Sequence, residues 1–383
     1  MLRSLSVIGL GYMAYVQIDS KIDLRYEKTP FNEQIVSKNP RLTSNFYPTP
    51  WLFNGALQAL YGGFFGSKKN APENEDYIVY NREFMRTKDG GLVSIDWKYP
   101  ERYDESTKIL LVAPGLTGHS GSGYLRSIVI EGAQDGYKVG VMHGRGIGGT
   151  PLKTFKVHHL CASEDYEFII RKVQKKHPKA PIVALGTSMG AGLLLRHAAE
   201  TGEKCLLKAI VAVATPFDYI KCRAKLNHWW PYFGFSDAYI VKSLHDQVDQ
   251  VLVDLGMMED DIKEKNINID DILKVKSSQE FDEKFTIKIC DYDSTEKYYL
   301  DASVDQHLHK IKVPVLALSS KDDPIVSIEC VPVEKIVKNP NFILALTHIG
   351  GHVAFYSGFI PKRSYARLCL EYLDSVLNIQ RKS

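Results

Sequence analysis

The chain has 383 residues, 44% of them hydrophobic and 24% charged, which excludes wholesale disorder and a many-span membrane protein. Its 48 Lys and Arg against 45 Asp and Glu leave a net charge of +3, no electrostatic case for nucleic acid. The cysteines Cys161, Cys205, Cys222, Cys290, Cys330 and Cys369 form no CxxC pair and no zinc-ligand spacing, and no Asn-x-Ser/Thr sequon occurs. Free thiols in a reducing compartment, or on a cytosolic face, are therefore expected.

At the N-terminus, Leu5 to Ile18 runs apolar after the basic Arg3. That is about 14 residues, where a spanning helix needs about 20. A buried amphipathic helix and a shallow membrane anchor with Tyr12 and Tyr15 at the interface are level readings of residues 1–20. A cleaved signal fits less well, because no small-x-small site precedes Asp19. Residues 28–75 show little periodicity, although the apolar, aromatic stretch 47–66 suits packing on a core, and 68–75 reads as a loop.

From Tyr77 the texture is regular. Residues 77–86 and 92–99 alternate around the turn Lys88-Asp89-Gly90-Gly91, which predicts an antiparallel pair. Strands are then expected at 109–115, 137–144, 181–186 and 205–216, with helices at 122–136, 163–178 and 189–202 and Ser163 as a capping residue. Alternation stops at Pro216. Residues 217–300, with an aromatic run at 229–235 and a charged helical run at 248–265, read as an insertion over the sheet. Strands resume at 313–320 and 341–348, and a final helix is expected over 363–379. This alternation predicts an α/β fold with a mostly parallel central sheet, helices on both faces and an inserted cap segment.

Gly186-Thr187-Ser188-Met189-Gly190 fits G-x-S-x-G between a predicted strand and a predicted helix. A nucleophile elbow needs that context, because the glycines allow a sharp turn that projects the serine hydroxyl. The acid and base should follow in the order Asp, His. Strand 313–320 runs into Asp322 and Asp323; counting from Ser320 selects Asp323 as the acid, with Asp322 orienting the loop. Gly350 and Gly351 lead into His352, the expected base, and His348 is its rival four residues earlier. The expected oxyanion donors are the main-chain N–H groups of Met189 and of Leu116, in the loop after strand 109–115. His158 and His159 lack partners at metal spacing, and Gly144–Gly149 lacks the acid of a dinucleotide fingerprint, so neither metal nor cofactor is expected. The aromatics at 229–235 suit either a lid over an acyl channel or plain packing.

The segments at 47–58, 89–97, 114–126, 144–152, 186–194, 281–286, 298–303, 311–324 and 348–355, read together, resemble AB-hydrolase family four of the α/β-hydrolase superfamily. That group includes yeast medium-chain fatty-acid ethyl ester synthase/esterases and vertebrate α/β-hydrolase-domain lipases. The resemblance covers about residues 35–378, with the cap at about 217–300. It implies a serine esterase or lipase acting on lipid or shorter acyl esters, without a cofactor. Many members carry an N-terminal membrane anchor, so association through residues 5–18, or else a cytoplasmic location, is expected. The chain departs from the family at Met142-His143, where Asn-Arg is usual, and His143 reads as a cleft-lining, surface or structural residue. Two rival functions remain: an acyltransferase that passes the acyl group to an alcohol, and a non-catalytic binding protein on the same fold.

Overall fold

The computed structural model describes residues 20–64, 77–226, 237, 240–245, 254 and 259–380. The candidate anchor segment, the aromatic run 229–235 and most of the run 248–265 lie outside the described residues.

Nine strands form one sheet: β1 (Asp23–Tyr26), β2 (Asn81–Arg86), β3 (Leu92–Lys98), β4 (Ile109–Ala113), β5 (Lys138–His143), β6 (Ile182–Thr187), β7 (Ile210–Val213), β8 (Val315–Ser320) and β9 (Phe342–Thr347). Their order is β1-β9-β8-β7-β6-β4-β5-β3-β2. β4 to β9 run parallel; β2, β3 and β1 join antiparallel at the two edges.

Every residue of β4 to β9 is buried, so these strands read as continuous apolar runs, as a sheet covered on both faces requires. Side chains still alternate. Ile109, Leu111 and Ala113 join one apolar cluster with helices α4 (Ser163–Lys176) and α5 (Met189–Thr201). Leu110 and Val112 join the other, with α3 (Arg126–Gln134) and α8 (Tyr365–Gln380). Each fully buried Ile, Leu or Val among these stabilises the fold by about 1.5–3 kcal/mol.

Between β7 and β8 the described residues hold helices and no strand, beginning with α6 (Tyr219–Leu226) and ending with α7 (Thr295–Ala302). Short helical pieces between them build their own apolar cluster from Leu244, Ile272, Phe281, Phe285 and Ile289. Before β2, helices α1 (Pro30–Lys38) and α2 (Gly55–Phe64) lie in the stretch whose sequence shows little periodicity.

Two local expectations are corrected, and one element is added. Ser163 is the first residue of α4 rather than its cap: Ala162 occupies the cap, and the Ser163 hydroxyl donates to Glu200 instead, at 2.8 Å. The strand expected over 205–216 shrinks to Ile210–Val213, the only part that pairs with both β6 and β8. The edge strand β1 is new; its four residues pair with β9, more than 300 positions away in sequence.

Candidate active site

Strands β4, β6, β8 and β9 all end on the same edge of the sheet, where an open α/β sheet places its ligands. The segment after each contributes one part of the site.

After β6, Ser188 sits at φ 50°, ψ −123°, a conformation that costs about 1–3 kcal/mol for a residue with a side chain. Its neighbours hold it there: the Ser188 N–H donates to Val213 O at 2.8 Å, and its C=O accepts from Ala191 N–H at 3.0 Å. The two motif glycines are required by contact. A Cβ on Gly186 would lie 2.5 Å from Ala191 Cα, and one on Gly190 would lie 2.2 Å from Pro114 O and 2.3 Å from Ala113 O. These are backbone atoms, so no rotamer change relieves either clash.

His352 and Asp323 reach Ser188 from the segments after β9 and β8. His352 Nε2 lies 2.9 Å from Ser188 Oγ, and His352 Nδ1 lies 2.9 Å from Asp323 Oδ2. The other Asp323 oxygen accepts from Ile325 N–H at 2.8 Å and Val326 N–H at 2.9 Å, which fixes the carboxylate plane. His352, rather than His348, is thus the imidazole within reach of the serine. Asp322 faces the histidine loop instead. Its Oδ1 accepts from Ser320 Oγ at 2.5 Å and from the N–H groups of Gly350 and Gly351 at 3.0 and 3.2 Å. Burial raises the Asp322 carboxyl above its ordinary range, against the pull of those donors.

The loop after β4 lies over the serine: a Cβ on Gly115 would meet Ser188 Cβ at 3.3 Å. Gly115 N–H donates to the Tyr124 hydroxyl at 3.0 Å, which holds the loop down. Leu116 and Met189, the expected oxyanion donors, both line the same cavity as Ser188. Tyr124 was not evident from sequence, since a tyrosine nine residues past a turn carries no local signature.

His143 is buried and structural. Its Nε2 accepts from Ser120 N–H at 3.0 Å, and its Nδ1 lies 3.2 Å from Ser94 Oγ. Burial pushes its pKa down to about 3, so the ring is neutral and braces the loop 119–121 beneath the cavity. Arg145 is buried too, pairing with Asp165 at 2.9 Å and Asp89 at 2.8 Å, and so ties the glycine loop to α4 and to the β2–β3 turn. His158 packs its ring 5.6 Å from Tyr166, and burial lowers it to about 4.

Ser188 and His352 open into a cavity of about 1000 Å³. Leu57 and Leu60 of α2 form one wall, and Phe281, Phe285 and Tyr299 of the β7–β8 insertion form another. Asp282 gives this wall a polar spot; it accepts from the Tyr299 hydroxyl at 2.7 Å, and burial pushes it up to about 6. Nearby, Arg223 lies 3.5 Å from Asp237. Sequence reasoning gave these residues no place in a wall, although Phe281, Asp282, Phe285 and Tyr299 fall in segments that carry the family resemblance, because their helical turns are scattered along the chain. The apolar stretch 47–66, expected to pack on a core, supplies Leu57 and Leu60 to the wall.

The matches to known proteins concern fold and family. The family model described as Serine aminopeptidase, S33 matches residues 104–337. Phospholipase ABHD3 of Bos taurus is 32% identical over 344 residues, spanning 88% of this chain and 78% of the relative. Medium-chain fatty acid ethyl ester synthase/esterase 2 of Saccharomyces cerevisiae is 24% identical over 393 residues, spanning 86% of each chain. Among solved structures, the Pyrococcus furiosus esterase Pf2001 aligns with a TM-score of 0.51 at 18% identity, over 81% of this chain and 95% of that one, a likeness of fold. With the sheet order, the serine turn and these matches in hand, the chain belongs to the Serine aminopeptidase, S33 family of α/β-hydrolases.

Proposed function

We propose that the chain is a serine hydrolase that cleaves carboxylic esters of apolar acyl groups, lipids included, through an acyl-enzyme on Ser188. The observation that carries this reading is the continuous chain Asp323–His352–Ser188 at the wall of a largely apolar cavity. His352 Nε2 takes the Ser188 proton as Oγ attacks the ester carbonyl, and the carbonyl electron pair moves onto oxygen. That oxyanion faces the N–H groups of Leu116 and Met189. Collapse breaks the ester C–O bond, and the leaving alkoxide takes the proton from His352. Water, deprotonated by His352, then attacks the acyl-enzyme, and Ser188 leaves with its proton restored. Asp323 keeps the Nδ1 proton in place and stabilises the imidazolium in both halves.

The insertion between β7 and β8 acts as a cap, with Phe281 and Phe285 beside the acyl chain and the Asp282–Tyr299 pair beside a polar part of the substrate. The phospholipase and ethyl-ester relatives support a lipid ester as the substrate class. The yeast relative is named for synthesis as well as hydrolysis, so an alcohol in place of water is the competing fate of the acyl-enzyme.

The test is turnover of soluble nitrophenyl esters of rising chain length by wild type and Ser188→Ala, with and without ethanol, and with aminoacyl amides in parallel. Ester turnover that falls by about 10⁴-fold or more in the variant is expected. Turnover that persists in Ser188→Ala would sink the proposal, and amide turnover exceeding ester turnover would redirect it to the peptidase activity in the family's description.

A further inference from the structure

A tight hairpin follows the candidate base. Tyr356–Ser357 pairs with Lys362–Arg363, and Phe359 and Ile360 form the tip, 80% and 85% exposed. No other large apolar side chains among the described residues are as exposed. They do not stand alone. Trp51, 41% exposed, donates its indole N–H to Phe359 O at 3.0 Å and packs edge-on against Tyr61 of α2 at 5.4 Å. Tyr61 packs in turn on Tyr356 at 5.1 Å. The result is an apolar prominence with an indole at its shoulder, seated on the rings of Tyr61 and Tyr356.

The two segments that build it carry charge of one sign only. No charged residue occurs between Tyr47 and Phe64, and the hairpin carries the cations Lys362 and Arg363 and no acid. Exposed apolar tips, an aromatic shoulder and flanking cations match the three layers of a bilayer surface: acyl chains, glycerol region and anionic headgroups. A protein partner would call for no such ordering.

Position adds to this. Leu60 lines the Ser188 cavity and is 38% exposed, on the helix that carries Tyr61. Arg363, at the hairpin base, lines the same cavity. Ser20, where the described chain begins, accepts from Phe46 N–H at 2.7 Å, and Pro48 bridges to Ser357 of the hairpin. The described chain therefore begins close to the prominence.

We infer that Phe359 and Ile360, shouldered by Trp51 and flanked by Lys362, form a docking element that inserts into a phospholipid bilayer and sets the cavity mouth against it. The inference deepens the lipid-ester reading and rests on it for the substrate's location; the docking itself requires no catalysis.

The test uses the full chain with vesicles of phosphatidylcholine and phosphatidylserine whose acyl chains are brominated, which quench tryptophan at membrane depth. Wild type is expected to show quenching that Trp51→Phe removes. Phe359→Ser/Ile360→Ser is expected to weaken it, with vesicle concentration for half-effect rising on the order of 100-fold, for two apolar side chains no longer inserted. Both variants should keep their thermal midpoints and soluble-ester turnover. Unchanged quenching in either variant, with turnover intact, would overturn the docking element. So would a dimer in sedimentation that the double variant dissolves without any effect on quenching. Loss of soluble-ester turnover in wild type would instead count against the esterase reading alone.

Discussion

Replacing Asp323 by Asn separates the two adjacent aspartates with a near-isosteric change. Asp323 Oδ1 accepts two main-chain N–H groups, from Ile325 and Val326, at 2.8 and 2.9 Å. In the Asp323→Asn variant the amide carbonyl oxygen must stay on those donors, because an NH₂ there would face two N–H groups. The NH₂ then falls where Oδ2 stood, 2.9 Å from His352 Nδ1, and it can only donate. Nδ1 becomes the acceptor, the proton moves to Nε2, and Nε2 can no longer take a proton from Ser188. The triad template loses about 10⁴-fold in kcat for this change of tautomer, or about 5 kcal/mol of transition-state stabilisation. Asp322→Asn keeps an acceptor for Gly350, Gly351 and Ser320 and removes a carboxylate that burial disfavours, so its turnover should stay within about tenfold of wild type. The assay is kcat on a soluble short-chain ester at neutral pH, with thermal midpoints to confirm folding. A loss under about tenfold in Asp323→Asn, or an equal loss in Asp322→Asn, would refute the reasoning.

Other consequences follow from packing and charge. Gly190→Ala drives a methyl into Pro114 O and Ala113 O, so denaturant unfolding should show a loss of about 1–3 kcal/mol or more; an unchanged midpoint would contradict the elbow packing. Burial lowers His143 to about 3 and His158, His159 and His197 to about 4. The unfolded chain protonates these rings near pH 6.5, so their contribution is fully present above that pH and is lost as pH falls toward 4 and 3. Glu131, Asp282 and Asp322, raised by burial, work in the opposite sense as pH rises through their folded values, but they are fewer. Urea midpoints should therefore fall from pH 7.5 to pH 5, and a flat or rising trend would count against it. Ala59→Trp, on the α2 wall of the cavity, should raise KM for long-chain esters several-fold more than for acetate esters; equal changes would argue that the acyl chain lies elsewhere.

How much was legible in sequence depended on whether the signal was local. Gly186–Gly190 is a five-residue steric solution, so its strand–turn–helix context can be seen without tertiary knowledge. Asp323 and His352 each follow a recognisable buried strand, and chain order, the count from Ser320 and the glycines before His352 narrowed them. The parallel strands were legible as apolar runs, because both faces of the sheet are covered. Where a residue's role depends on a distant partner, the sequence was silent. β1 exists through pairing with Leu344 and its neighbours, and Ser163 turned from capping to Glu200 on the adjacent helix. For His143 the sequence left cleft-lining, surface and structural readings open, and the contacts of its ring with Ser94 and Ser120 select the structural one. The cavity wall draws Leu60, Phe285 and Tyr299 from three elements with no shared period.

The central claim is that Ser188 is an activated nucleophile, and intact-mass analysis after treatment with a fluorophosphonate tests it most directly. Such reagents bond to a serine whose proton has a base to receive it, not to an exposed hydroxyl alone. The account predicts one adduct per chain, mapped to the peptide that holds Ser188, absent in Ser188→Ala and strongly slowed in Asp323→Asn. A folded wild-type chain that stays unmodified, with detergent present to admit the reagent, would contradict it, as would an adduct on any other serine.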